Sequence, residues 1–193
     1  LQAITPENIL SAYAQGAFPM ADELGVARWY TADPRGLLPL DGFRIPRTLR
    51  QVISRGVFEI RINTCFKDVM LACSERRRDG TWISMELIDN YCVLHERGYA
   101  HSVEAWKDGQ LAGGLYGVSI GGAFFGESMF YRVSDASKVA LAALVHRLRE
   151  RKFALLDTQA VTKHLVRFGA IEMPANQYMK LLRAAIALER SFD

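Results

Sequence analysis

HSVEAWKDGQLAGGLYGVSIGGAFFGESMF, residues 101–130, is where the chain changes period. His101 to Trp106, Leu111 to Ile120 and Ala123 to Phe130 are β-rich segments joined by Asp108-Gly109 and Gly121-Gly122. These are the dipeptides that tight hairpins prefer, because glycine supplies the positive φ that the turn needs. Three consecutive antiparallel strands are predicted. Working outward, a strand near Phe58 to Ile62 leads into a helix from about Thr64 to Arg77, where Phe66, Val69, Met70 and Cys73 fall on one face at helical spacing. A second helix runs from about Met85 to Arg97 and stops at Gly98. Beyond the meander, a helix capped by Ser134 or Asp135 runs to about Arg151, followed by an apolar strand from Phe153 to Asp157. A helix near Thr162 to Phe168 and a last helix after Pro174 complete the chain. This order predicts an α+β fold with a single mixed sheet flanked by helices.

The order matches that of acetyltransferase-like domains of the GNAT type, at this point an analogy of fold alone. Ahead of it, Thr5-Pro6-Glu7 places a hydroxyl and then proline where a helix begins, and Gly16 closes that helix. From Phe18 to Pro46, four prolines and several glycines predict irregular structure with short strands around Arg28 to Tyr30 and Leu37 to Leu40. The chain is therefore expected to divide into a small N-terminal domain, residues 1–56, and a GNAT-like catalytic domain, residues 57–193.

Of the 193 residues, 50% are apolar and 23% charged, enough for a substantial core. The net charge of +3 suits a polyanionic partner but falls far short of a dedicated nucleic-acid coat. Cys65, Cys73 and Cys92 form no CxxC pair and are odd in number, against a zinc site or a disulfide framework. The histidines lack metal-ligand spacing, no GxxxxGK[ST] loop is present, and Ser128 and Ser137 have no nearby histidine to form a triad. No apolar run is long enough to span a bilayer and no secretory signal pattern opens the chain, so a cytoplasmic location is expected.

Three segments carry polar residues where a core pattern does not ask for them. In Gly126-Glu127-Ser128-Met129-Phe130 a carboxylate interrupts an apolar strand and needs a partner, since unpaired burial costs several kcal/mol. Its bland alternative is a solvent-facing or arginine-paired Glu127. In Leu155-Leu156-Asp157-Thr158-Gln159, strand alternation puts Asp157 and Gln159 on one side at a strand end, although Asp157 could equally cap a turn. Together Glu127 and Asp157 suggest an acidic pocket beside apolar walls. In Gly80-Thr81-Trp82-Ile83 an exposed-looking Trp82 follows Arg76-Arg77-Arg78. Tryptophan faces stack on nucleobases and arginines track phosphates, but core closure and a solvated helix face are the commoner uses. His101, heading a strand, reads as a satisfied structural histidine.

These segments, in order, resemble the leucyl/phenylalanyl-tRNA–protein transferase family. Gly16-Ala17-Phe18-Pro19, Asp33-Pro34-Arg35, Gly80-Thr81-Trp82-Ile83, Ala100 to Glu104, Gly113 to Val118, Gly126 to Phe130, Ala136-Ser137-Lys138 and Asp157-Thr158-Gln159 carry the resemblance across nearly the whole chain. It implies transfer of Leu or Phe, with Met a further candidate, from aminoacyl-tRNA to the N-terminal Arg or Lys of an acceptor protein, with no metal, ATP or other cofactor. It implies that Gln159 contacts the attacking amine or the carbonyl, that Asp157 orients Gln159 and draws charge from the amine, and that Glu127 holds the basic acceptor. Leu115, Phe124, Leu144 and Leu156 would form the aminoacyl pocket, Trp82 would lie near the terminal adenosine, and Arg47, Arg50, Arg76, Arg77 and Arg78 would steer the tRNA.

Departures from the family pattern are Met20 where tryptophan is common, Leu115 and Leu144 where relatives can carry Met or Phe, and Gln51 and Ser54 in place of basic residues. The competing expectations are an acyl-CoA-dependent N-acyltransferase on the same fold and a non-catalytic module that binds basic N-termini.

Overall fold

The meander forms as its alternation requires, and a computed structural model of the chain, describing residues 3–75 and 81–193, shows what surrounds it. Helix α1 (Pro6–Ala14) starts with the Thr5 hydroxyl accepting the Asn8 N–H at 3.2 Å. Strands β1 (Phe18–Ala21) and β2 (Ala27–Tyr30) pair only with each other. Then follow β3 (Arg35–Leu37), α2 (Arg47–Ser54), β4 (Glu59–Ile62), α3 (Phe66–Ser74) and α4 (Met85–Glu96). The meander is β5 (Ala100–Lys107), β6 (Gln110–Ile120) and β7 (Ala123–Tyr131). After it come α5 (Ala136–Glu150), β8 (Leu155–Gln159), α6 (Lys163–Val166), β9 (Ile171–Met173) and α7 (Ala175–Ile186).

Seven strands form one sheet in the order β4-β5-β6-β7-β8-β3-β9. Only β7 and β8 run parallel; the other neighbours are antiparallel. This is the expected mixed sheet flanked by helices. One face packs against α1, α3, α4 and α7 through residues such as Tyr13, Met70, Tyr91 and Leu182. The other packs against α5 and α2 through Leu49, Ala140, Leu144 and Leu148.

The boundary expected after residue 56 does not coincide with the sheet. Strand β3, from inside the expected N-terminal domain, lies between β8 and β9. The short strand expected around Leu37 to Leu40 forms two residues earlier, and three residues are too few to show by alternation which sheet they join. Strand β9 and helix α2 were missed for the same want of length.

Burial of charge holds β3 in place. Arg35 and Asp157 are each 0% exposed, and the Arg35 Nε donates to both Asp157 oxygens at 3.0 and 3.1 Å while Nη2 donates to Oδ2 at 2.8 Å. Nη1 donates to the Gly16 carbonyl at the end of α1, and the Tyr178 hydroxyl of α7 donates to Asp157 Oδ2 at 2.5 Å. Asp33 accepts the Ala175 N–H at 3.0 Å, capping α7 from across the fold. A second buried carboxylate, Glu104 of β5, accepts from Thr64 N and Oγ1, Cys65 N and Ser102 Oγ, and so caps α3, which has no side-chain cap of its own.

His101 is the structural histidine expected from its position. Its ring stacks 4.2 Å from Phe192, and its Nε2 and Nδ1 lie 3.1 Å from Ser119 Oγ and from Asn63 Nδ2. Burial pushes its pKa down to about 4.

Two expectations follow for stability. Arg35→Met leaves a buried carboxylate unpaired and should cost about 3–5 kcal/mol in urea denaturation, whereas Arg35→Met/Asp157→Leu should recover most of that loss; equal losses in both would show that the pair is not the source. His101 folds neutral with a depressed pKa, so the unfolded chain binds the extra proton between about pH 6.5 and 4 and stability falls as pH falls through that window. About 2 kcal/mol should be lost between pH 7 and pH 5 in the wild type, and a His101→Gln variant should show a flatter dependence.

Candidate active site

Strands β7 and β8 pair only at Ala123–Phe125 with Leu155–Asp157, and beyond that they part. Each then carries an irregularity. The β6–β7 register passes from Tyr116↔Ser128 to Gly117↔Gly126, leaving Glu127 as an extra residue in β7. The β3–β8 register passes from Leu37↔Asp157 to Gly36↔Gln159, leaving Thr158 extra in β8. Bulges of this kind turn side chains out of strict alternation, and here they bring Glu127 and Ser128, neighbours in sequence, onto one cavity wall. Gln159 has φ +57°, the left-handed region. Gly36 makes room for this bend, since a Cβ there would lie 2.5 Å from the Ala160 carbonyl carbon.

The wedge between the strands opens into a cavity of about 420 Å³. Leu115, Met129, Leu141, Leu144, Leu156 and Leu165 line its apolar part, and Phe18, Met20 and the half-buried Trp82 line another part of the wall. Glu127, Ser128, Thr158, Gln159 and His164 are the polar groups. Glu127 is the only carboxylate on this wall among the described residues.

Gln159 Nε2 donates to Glu127 Oε1 at 3.0 Å, which leaves the Gln159 carbonyl oxygen free to accept. Asp157 Oδ1 accepts the Gln159 backbone N–H at 2.8 Å. The hydroxyls of Tyr13 and Tyr91, 2.5 Å apart, interact with Glu127 from behind. Burial raises the Glu127 pKa to about 8, the nearby Asp157 charge adds to the rise, and contacts with Tyr13, Arg35 and Gln159 offset part of it. Burial opposes the Arg35 charge, but hydrogen bonds and attraction from Asp157 outweigh it and hold its pKa above the usual value.

The structure brings together Glu127, Gln159, Leu115, Leu144, Leu156 and Trp82, all on the cavity wall. It does not bring Asp157 there. Strand alternation predicted that Asp157 would share a pocket with Gln159, but its oxygens are taken by Arg35, Tyr178 and the Gln159 N–H, so it cannot hold an acceptor directly. Phe124 also stands apart: it is fully buried in the same core cluster as Leu115, Leu144 and Leu156, but its ring stacks 5.3 Å from Phe192 and does not line the cavity. Arg47 and Arg50 are exposed on α2, away from the cavity wall. Arg76, Arg77 and Arg78 lie outside the described residues.

Met129, Leu141, Leu165 and His164 were missed, as were Tyr13 and Tyr91 behind Glu127. Their spacing is that of ordinary core helices and strands; Met129, like Arg35, stood in a quoted motif without being assigned a role. No helix among the described residues is long and apolar enough to cross a membrane, and no group of three or more His, Cys, Asp or Glu side chains among them could hold a metal ion.

A family model described as leucyl/phenylalanyl-tRNA protein transferase matches residues 37–183, and the model of that transferase's N-terminal domain matches residues 2–33. The leucyl/phenylalanyl-tRNA–protein transferase of Salinibacter ruber is 54% identical over 183 residues, covering 94% of this chain and 80% of that protein. That of Gloeobacter violaceus is 53% identical over 193 residues, covering 100% and 99%. Among solved structures, a ribosomal-protein-alanine N-acetyltransferase from Brucella melitensis biovar Abortus 2308 matches with a TM-score of 0.39 and 15% identity, over 57% of this chain and 87% of that one. By the extent of the family match and the identity to these relatives, the chain belongs to the leucyl/phenylalanyl-tRNA–protein transferase family.

Proposed function

We propose that this protein joins leucine or phenylalanine, delivered as the ester of a tRNA, to the N-terminal α-amine of proteins that begin with Arg or Lys. The observation that carries this reading is the Glu127–Gln159 pair set beside an apolar cavity between the parted strands. The donor side chain fits among Leu115, Met129, Leu144 and Leu156, a wall without charge that suits Leu, Phe and also Met. Leu115 and Leu144, where relatives can carry larger side chains, tune the ratio among these donors, since a methylene-scale change is worth about 1–3 kcal/mol. Trp82, with Met20 and Phe18 on the same wall, offers a face for the terminal adenine. The exposed Arg47 and Arg50 supply charge for the tRNA backbone. A cytoplasmic site of action goes with a tRNA donor.

Chemically, the amine nitrogen attacks the ester carbonyl carbon, the bond to the ribose oxygen breaks, and one proton passes from the amine to that oxygen. An amide such as Gln159 cannot take up a proton near neutrality, so its role is to orient: its free carbonyl oxygen accepts an N–H of the incoming amine. Asp157 acts one step back by fixing the Gln159 backbone. Glu127 is the group that can move the proton. Its pKa of about 8 lies close to that of an α-amine, about 8, which matches donor and acceptor of the proton. The same carboxylate, once ionised, is the attraction for a basic N-terminus. The acyl-CoA alternative is not favoured, because the relatives are named for aminoacyl-tRNA.

Radiolabelled leucyl-tRNA mixed with peptides that differ only in an N-terminal Arg, Asp or Ala should label the Arg peptide alone. Labelling of none, with phenylalanyl- and methionyl-tRNA also tried, would sink the transferase reading. With both Glu127 and the amine needing to lose a proton, log kcat/KM in the wild type should climb with a slope near 2 well below pH 8 and level above it. Glu127→Gln should slow transfer by about 10²-fold or more and reduce the slope to 1. An unchanged slope would remove Glu127 as the base.

A further inference from the structure

The β1–β2 hairpin joins no larger sheet, and its register shows which side it turns toward the cavity. Phe18 and Met20, on one face of β1, line the cavity, while Ala27 and Trp29 of β2, on the other face, pack on the core. Directly opposed residues of an antiparallel pair share a face, so Tyr30, opposite Phe18, and Arg28, opposite Met20, lie on the cavity side. Ala32, two residues beyond Tyr30, is again on the cavity wall. Tyr30 thus has wall residues opposite it, diagonal to it and along its own chain, yet it is 36% exposed and stands at the rim. Its hydroxyl makes no hydrogen bond, and its ring stacks on no other ring or cation, among the described residues. Inward of it, the Phe18 ring lies 4.8 Å from the Arg35 guanidinium carbon, and Gly36, the next residue, pairs with Gln159. Tyr30 is therefore joined through Phe18 to the corner that presents the Gln159 amide.

Resting on the transfer reaction proposed above, we propose that Tyr30 is a specificity residue of the acceptor subsite. Its ring receives the guanidinium or ammonium of the acceptor's first side chain while the α-amine of that residue meets Gln159. The face of an aromatic ring attracts a cation within about 6 Å of its centroid, and a planar guanidinium stacks on it better than an ammonium does. Charge assigns this rim to the acceptor. The hairpin's arginine, Arg28, is committed to Asp22 at 2.7 Å, and the neighbouring Glu23 is exposed, so the hairpin holds two carboxylates against one guanidinium. A polyanionic donor is drawn to the exposed Arg47 and Arg50 of α2, whereas a cationic side chain is admitted here. With the Asp157 oxygens taken up by Arg35, Tyr178 and the Gln159 N–H, a ring face supplies what a second free carboxylate does not. Glu127 then deals with the amine, and Tyr30 reads the side chain with a preference for Arg over Lys.

Steady-state transfer from leucyl-tRNA to peptides that begin with Arg or Lys, compared among the wild type, Tyr30→Leu, Tyr30→Phe and Tyr30→Trp, tests the assignment. Leucine keeps apolar bulk without a ring face, so Tyr30→Leu should raise the KM for the Arg peptide by roughly 2- to 5-fold. The preference for Arg over Lys should narrow with it, and the KM for leucyl-tRNA should not follow. Tyr30→Phe should keep the acceptor KM within about 2-fold of the wild type, and Tyr30→Trp, with the strongest ring, should lower it. The Phe and Trp variants decide the order even where the Leu variant is too unstable to assay. One acceptor KM across the series, or a KM that rises for leucyl-tRNA in place of the peptide, overturns the acceptor role of Tyr30 and leaves the transfer reaction standing. No transfer by the wild type to either peptide overturns the transferase reading, and the Tyr30 assignment with it.

Discussion

Arg35 and Asp157 meet in a water-free interior, and each would be untenable there alone. Two charges taken out of water recover the cost of desolvation only when their hydrogen bonds are complete. Here they are: the Arg35 guanidinium reaches both carboxylate oxygens and the Gly16 carbonyl, Tyr178 donates the remaining hydroxyl, and the Phe18 and Tyr178 rings lie 4.8 Å from the guanidinium carbon. The groups involved come from α1, β1, β3, β8 and α7. One electrostatic requirement thus joins the N-terminal residues, the sheet and the last helix, and a chain that failed to assemble any of them would leave a buried charge exposed to the penalty.

The same pair determines where β8 leaves the sheet. Asp157 is the last residue of β8 paired with β7, and its free oxygen lobe accepts the Gln159 N–H just beyond. That contact, together with the absence of a Cβ at Gly36, lets Gln159 take its left-handed backbone and present its amide to Glu127. A bulge on the facing strand does the complementary work by turning Glu127 out of alternation. The cavity is therefore a consequence of two strands that cannot stay paired, and its polar groups sit where the pairing ends.

Electrostatically the site is less acidic than two carboxylates suggest. Asp157 is neutralised by Arg35, and burial favours the neutral form of Glu127. Exposed positive charge lies instead away from the cavity wall, at Arg47, Arg50 and Arg167.

The strands, the long helices and the mixed sheet were legible in the chain because residues 101–130 alternate with glycine turns and the flanking helices show a regular apolar spacing. Glu127, Gln159 and Trp82 were legible because polar or aromatic residues interrupt patterns that core packing alone would not interrupt, whereas the leucines of the cavity were legible only through the family resemblance. The sequence by itself determined the family, the fold class and the residue types of the site. Only the tertiary structure decided that Asp157 faces inward to Arg35, that Phe124 belongs to the core, that Tyr13 and Tyr91 stand behind Glu127, and that β3 belongs to the main sheet. Alternation assumes an unbroken strand, and one extra residue in each of β7 and β8 reverses it. Ion pairs between residues as distant as 35 and 157 leave no periodic trace, because their partners are chosen by folding and not by spacing.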